Sequence, residues 1–159
     1  MKILVVYDSY FGNTKKIAQC IAETLFDGND VRLCRAGEVG PGDLTGVGLL
    51  VVGSPTRAFS PVVSIKHFLR SMDARQLKGV KIAAFDTRIA LDSIRSKVLR
   101  KLVGTLGYAA EPVSRKLIRK GGEAAADPAG FFVTDSEGPL KQGEIQRAAE
   151  WAEGIRNSV

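Results

Sequence analysis

The sequence predicts an α/β fold: a mostly parallel sheet of five strands with helices on both faces. Three observations carry this. Continuous aliphatic runs at residues 2–7, 47–52 and 80–85 read as strands covered on both sides. Between and after them lie amphipathic stretches with apolar residues at i, i+4 and i+8, the period of a helix with one buried face. The strictly alternating order requires crossover connections, hence a parallel sheet. Such a doubly wound sheet takes the order 2-1-3-4-5, and its ligand site lies beyond the carboxyl ends of the strands, where the order reverses.

Each element has its own signal. Lys2 to Tyr7 forms the first strand. A helix follows from about Thr14 to Phe26, with Ile17, Ile21 and Leu25 inward, broken by Gly28-Asn29-Asp30. Val31 to Cys34 is a short strand, and a Gly- and Pro-rich link leads to the strand Val47 to Val52. After Pro61 a helix turns Ile65, Phe68, Leu69 and Met72 inward. Val80 to Phe85 is the third aliphatic strand. Asp92 to Leu106 reads as a helix with Ile94, Val98 and Leu102 on one side. Ala109 to Lys120 reads as another, with Val113 and Leu117 inward and Gly121-Gly122 stopping it. A last strand centres on Phe131-Phe132-Val133. The closing helix, Lys141 to Arg156, is expected to bury Ile145, Ala148, Ala149, Ala152 and Ile155, with Trp151 against the sheet.

With 159 residues and 45% apolar content, the chain is expected to form one domain spanning 1–159. No run is long enough to cross a bilayer, and the first apolar run is too short for a signal peptide, so a cytoplasmic protein is expected. Cys20 and Cys34 match no disulfide or metal pattern, and Cys20 reads as a reduced core thiol. The net charge of +6 is local. Residues 92–120 hold eight of the 23 basic residues and two of the 17 acidic ones, which accounts for the whole excess. His67 is the single histidine and reads as solvated or capped; with no nucleophile elbow or paired carboxylates, hydrolysis has no support.

Three segments converge on the predicted switch point. Ser9-Tyr10-Phe11-Gly12-Asn13-Thr14 joins the first strand directly to a helix. Successive backbone N–H groups there, at the positive end of the helix dipole, suit a phosphate dianion. Ser9 and Thr14 add hydroxyls, Asn13 an amide, and Gly12 allows the tight turn; Asn13 or Thr14 can equally cap the helix. Gly53-Ser54-Pro55-Thr56-Arg57-Ala58-Phe59-Ser60-Pro61 follows the second aliphatic run, and Ala84-Phe85-Asp86-Thr87-Arg88 follows the third.

The first segment resembles the flavodoxin phosphate signature, a serine or threonine followed by x-T-G-N-T, with Phe11 in place of a threonine. The second is similar to the G-x-P-T-R segment of flavodoxin-like quinone reductases, without the tryptophan of classical flavodoxins. Phe-Asp-Thr-Arg at 85–88, Gly107-Tyr108-Ala109-Ala110, Gly121-Gly122 and Glu137-Gly138-Pro139-Leu140 extend the likeness to uncharacterised bacterial flavodoxin-domain proteins. The resemblance implies a flavodoxin-like fold holding FMN. It implies that Ser9 to Thr14 bind the phosphate, that Pro55, Thr56, Arg57, Ala58 and Phe59 run beside the ring, and that Asp86, Thr87, Arg88 and Tyr108 complete the site. It also makes 92–106 a basic insertion, a lid or a partner surface.

Two classes of function follow. In one, FMN carries the chemistry, either in an electron carrier or in a small oxidoreductase acting directly at the flavin. Its partner is a redox protein or a small electron acceptor. Classical flavodoxins are acidic, so the basic residues from Arg95 to Lys120 suit instead an acidic redox protein or an anionic membrane surface. They also read simply as the solvated face of two helices. No nucleic acid is expected here. Flavodoxin-like protoporphyrinogen oxidases, with quinone-linked chemistry, are the alternative enzyme reading. In the other class the fold has lost FMN and serves as a binding module for an acidic protein or RNA.

Overall fold

The computed structural model describes residues 1–90 and 93–159, with Val103 described by its backbone alone. Strand β1 (Lys2–Tyr7) leads into helix α1 (Asn13–Leu25), then β2 (Asp30–Arg35) and β3 (Val47–Arg57). The two-residue β4 (Ser60–Pro61) precedes α2 (Val63–Ser71), and β5 (Lys81–Ile89) is followed by α3 (Lys97–Leu106) and α4 (Ala110–Arg119). Strands β6 (Glu123–Ala124) and β7 (Ala129–Val133) and helix α5 (Glu144–Arg156) complete the chain.

The sheet runs β2-β1-β3-β5-β6, with β7 also on β5, and every pairing along this path is parallel. This is the expected order with its fifth strand broken in two. Lys81 and Ile82 pair with β6, while Phe85 to Ile89 pair with β7. The sequence showed β7 alone, because Glu123 and Ala124 are exposed and carry no apolar signal.

Alternation along the strands feeds two cores. Leu4, Val6, Leu50, Val52, Ile82 and Ala84 face α2 and α4 with Ile65, Phe68, Leu69, Val113 and Leu117. Ile3, Val5, Leu49, Val51, Ala83 and Phe85 face α1 and α5 with Ile17, Ile21, Leu25, Ala148, Ala152 and Ile155. Each valine, leucine, isoleucine or phenylalanine among these contributes about 1.5–3 kcal/mol on burial. Phe85, Phe131 and Trp151 meet edge-on with centroids 6.0–6.2 Å apart. Gly53 sits directly over the Phe85 ring, where a Cβ would collide with it.

The structure corrects the sequence reading in four places. Strands β3 and β5 run past the aliphatic cores to Arg57 and Ile89, so the expected second and third loops are largely strand. The reason is pairing: the parallel ladder extends to Pro55 opposite Thr87, and Thr56 and Arg57 fold back antiparallel onto Pro61 and Ser60. Ile145 is exposed, and Glu144 is buried in its stead. The Glu144 carboxylate accepts the Phe132 N–H (2.8 Å) and an Arg147 N–H (2.6 Å), anchoring the start of α5 to β7. Val98 and Leu102, expected inward, are exposed; α3 begins at Lys97, and the expected start at Asp92 lies outside the described residues. Finally, Cys20 is half-buried, not a core thiol.

Burial is the leading cause that pushes both the Cys20 and Cys34 thiols up, which lowers their thiolate fraction. At neutral pH both should react with a disulfide reagent more slowly than free cysteine, the buried Cys34 more slowly than Cys20. Denaturant should release both. Equal, fast labelling of Cys34 in native protein would contradict its placement.

Candidate flavin site

The carboxyl ends of β1, β3 and β5 open into a cleft of about 260 Å³. Its first wall is the turn into α1. Gly12, at φ 88°, occupies the left-handed region that favours glycine and stands at the N-cap of α1 without a side-chain cap. Ser9 Oγ accepts the Gly12 N–H at 3.0 Å and closes the turn. The backbone N–H groups of Tyr10, Phe11, Asn13, Thr14 and Lys15 make no hydrogen bond among the described residues. The first helical turn holds no acidic residue, so the dipole at this end is unopposed by a carboxylate. These are the properties of an anion cradle.

Side chains fix the cradle from three directions. Asn13 Nδ2 donates to the Glu137 carbonyl (2.9 Å), tying the turn to the loop after β7. The Thr14 and Thr87 hydroxyls are 2.7 Å apart and link α1 to β5. Asp8 accepts the Ser9 N–H at 2.7 Å, accepts the Ser64 hydroxyl and lies 3.5 Å from Arg35. Asp8 therefore braces the turn from behind.

The opposite wall comes from β3 and β5. Pro55, Thr56, Arg57 and Ala58 line it, with Thr87 and Arg88. Ala58 and Phe59 hold φ of 44° and 63°, a left-handed pair forming the tip between β3 and β4. Arg57 lies 5.5 Å from the ring centroids of both Tyr10 and Phe11, so one cation joins the two walls through their aromatic faces. The Phe11 substitution thus supplies a stacking surface where a threonine would supply a hydroxyl.

Arg88 is the second cation in the cleft wall. Its Nε and Nη2 donate to the two Asp86 carboxylate oxygens at 2.5 and 2.7 Å, and its guanidinium lies 3.9 Å from the Tyr108 ring centroid. Asp86 is fully buried and is not part of the wall. Its Oδ2 also accepts the Ala110 N–H (2.8 Å) at the start of α4. Burial pushes the Asp86 carboxyl up, against the pull of the Arg88 hydrogen bonds and charge. Burial also pushes the Tyr108 hydroxyl up; it donates to the Ile89 carbonyl at 3.3 Å.

Eleven of the fifteen residues expected from sequence line this cleft. Gly12 shapes the turn without lining it, and Asp86 acts from behind Arg88. Phe59 and Tyr108 line a neighbouring apolar pocket of about 340 Å³, which shares Thr56, Ala58 and Ile89 with the cleft. Sequence reasoning missed Ile89, Val133 and Ser136 in the cleft wall. Val133 ends the strand predicted at Phe131-Phe132-Val133, and Ser136 adjoins the Glu137-Gly138-Pro139 segment; both segments carry the resemblance but no signal of a wall.

No protein-family model matches the chain. A flavodoxin from Aquifex aeolicus (strain VF5) is 44% identical over 57 residues, a stretch covering 35% of this chain and 31% of that protein. Oxidised flavodoxin 1 from Bacillus cereus superimposes with a TM-score of 0.78 at 14% identity, covering 100% of this chain and 99% of the other. A flavodoxin from the domain Archaea gives 0.73 at 21% identity, over 99% and 97%. This chain has the flavodoxin fold. Within that flavodoxin-like frame, the cleft stands at the switch point between β1 and β3, where doubly wound sheets place their ligands. No helix among the described residues is long and apolar enough to cross a membrane.

Proposed function

We propose that this chain binds one FMN and transfers electrons through it. The observation that supports this best is the convergence of three separate segments on one cleft at the switch point, with unclaimed backbone donors at the N-terminus of α1. Ser9 to Thr14 would hold the phosphate, mainly through backbone N–H groups. The apolar pocket beside the cleft offers the surface that a flat, largely apolar ring needs. Bound FMN supplies one- or two-electron transfer.

The protein's own part is to position and to tune. Arg57, held between Tyr10 and Phe11, places a positive charge on the cleft wall where it stabilises negative charge on a bound group. Arg88 is largely neutralised by Asp86 and contributes mainly as a rigid donor. Thr14 and Thr87 hold the two walls in register. The electron partner is a redox protein or a small acceptor. Two unpaired cysteines, one of them buried, suit the reducing cytoplasm.

Titrating the flavin-free protein with FMN should quench flavin fluorescence saturably at micromolar concentration or below. Lack of saturable binding would overturn the reading and favour the flavin-free binding module. Stopped-flow mixing of the loaded protein with NADH or NADPH then separates an oxidoreductase, reduced directly, from a carrier that needs a reductase.

A further inference from the structure

Among the described residues, no other element covers Val98, Leu102 and Leu106 on the apolar face of helix α3. Val98, Leu102 and Leu106 are 72%, 43% and 58% exposed, whereas the apolar faces of α1 and α2 are buried against the sheet. At helical spacing these three and Leu99 share an arc of about 100°. Lys97, Arg100 and Lys101 fall on the opposite side, and Arg95 precedes the helix. Between Ser93 and Ala110 there is no acidic residue. A helix whose apolar arc faces water exposes area that folding has left unburied.

From this we propose that α3 is a docking helix for an anionic lipid surface, lying in the plane of the membrane. The charge decides the sign of the partner: four cations without a carboxylate repel a second copy of the chain and attract anionic headgroups. The shape decides its kind. A projecting helix with leucine and valine on one face and lysine and arginine on the other matches an interfacial helix. The aliphatic side chains enter the acyl boundary while the long cations reach the headgroups. At ten residues, α3 is about 15 Å long and far too short to span a bilayer. Ile94 and Leu99 also line the apolar pocket beside the cleft, so docking brings that pocket to the lipid surface. The proposal stands whether or not the cleft holds FMN.

The test is co-sedimentation of the full chain with vesicles of phosphatidylcholine alone or mixed with phosphatidylglycerol. Binding should require the anionic lipid and weaken as salt rises. Leu102→Asp should reduce it about tenfold or more, and so should the charge reversal Lys97→Glu with Lys101→Glu. Both variants should keep the native unfolding midpoint and FMN titration, because these side chains are exposed and outside both the cleft and the apolar pocket. A Leu102→Trp probe should shift its emission to the blue on mixed vesicles. Absence of binding to mixed vesicles, or binding indifferent to Leu102→Asp, would overturn the proposal. Binding to soluble polyglutamate as tight as to vesicles, with no blue shift of the probe, would assign the face to an acidic protein.

Discussion

Replacing Arg88 with alanine should cost about 3–5 kcal/mol of stability, lowering the unfolding midpoint by about 6–20 °C. Asp86 is fully buried, and two of its contacts are the Arg88 Nε and Nη2 donors. Without the guanidinium, a buried carboxylate keeps only the Ala110 N–H and must stay charged unpaired or take up a proton. The Tyr108 ring also loses the cation against its face. Adding Asp86→Asn to Arg88→Ala should recover part of the loss, because the amide carries no charge to strand. A chemical-denaturation double-mutant cycle measures that coupling. Additive losses in the cycle would mean that the pair is not the unit drawn here.

Ser9→Asp should weaken FMN binding by about 3–4 kcal/mol, several hundredfold or more. A new carboxylate at the cradle faces the dianion at close range in a partly dry site. Ser9 is buried and its hydroxyl already accepts the Gly12 N–H. An aspartate can accept the same bond, so the turn should survive and the loss should come from charge repulsion. Isothermal titration with FMN at two salt concentrations reads the effect. Unchanged affinity would remove this turn from the phosphate site.

The two predictions mark what was legible at different depths. Ser9 to Thr14 could be read from sequence because a short polar segment between an aliphatic run and an amphipathic stretch leaves the chain few local options. The Asp86–Arg88 pair could not. The family resemblance alone assigns both residues to the cleft, in a loop after the third aliphatic run, yet the strand continues through them. Asp86 and Arg88, two residues apart, share one face of β5 and pair with each other; Asp86 lies under the start of α4, where it takes the Ala110 N–H, and Arg88, nearer the strand end, is the one that meets the cleft. Likewise β6 has no apolar signature and exists through its pairing with β5 alone.

Local pattern by itself determined the parallel α/β architecture and marked the helix start after β1 as a candidate anion cradle, because hydrophobic period and helix-start chemistry are properties of neighbouring residues; the strand order followed from the fold type that the pattern implies. Tertiary structure alone decided where β3 and β5 end, since ladder pairing and not composition sets a strand's length. It also separated Phe59 and Tyr108, in the apolar pocket, from the cleft proper. And it left the apolar arc of α3 in water. Periodicity announces that a helix has a face to bury, but only the positions of the other elements show whether the protein itself covers it.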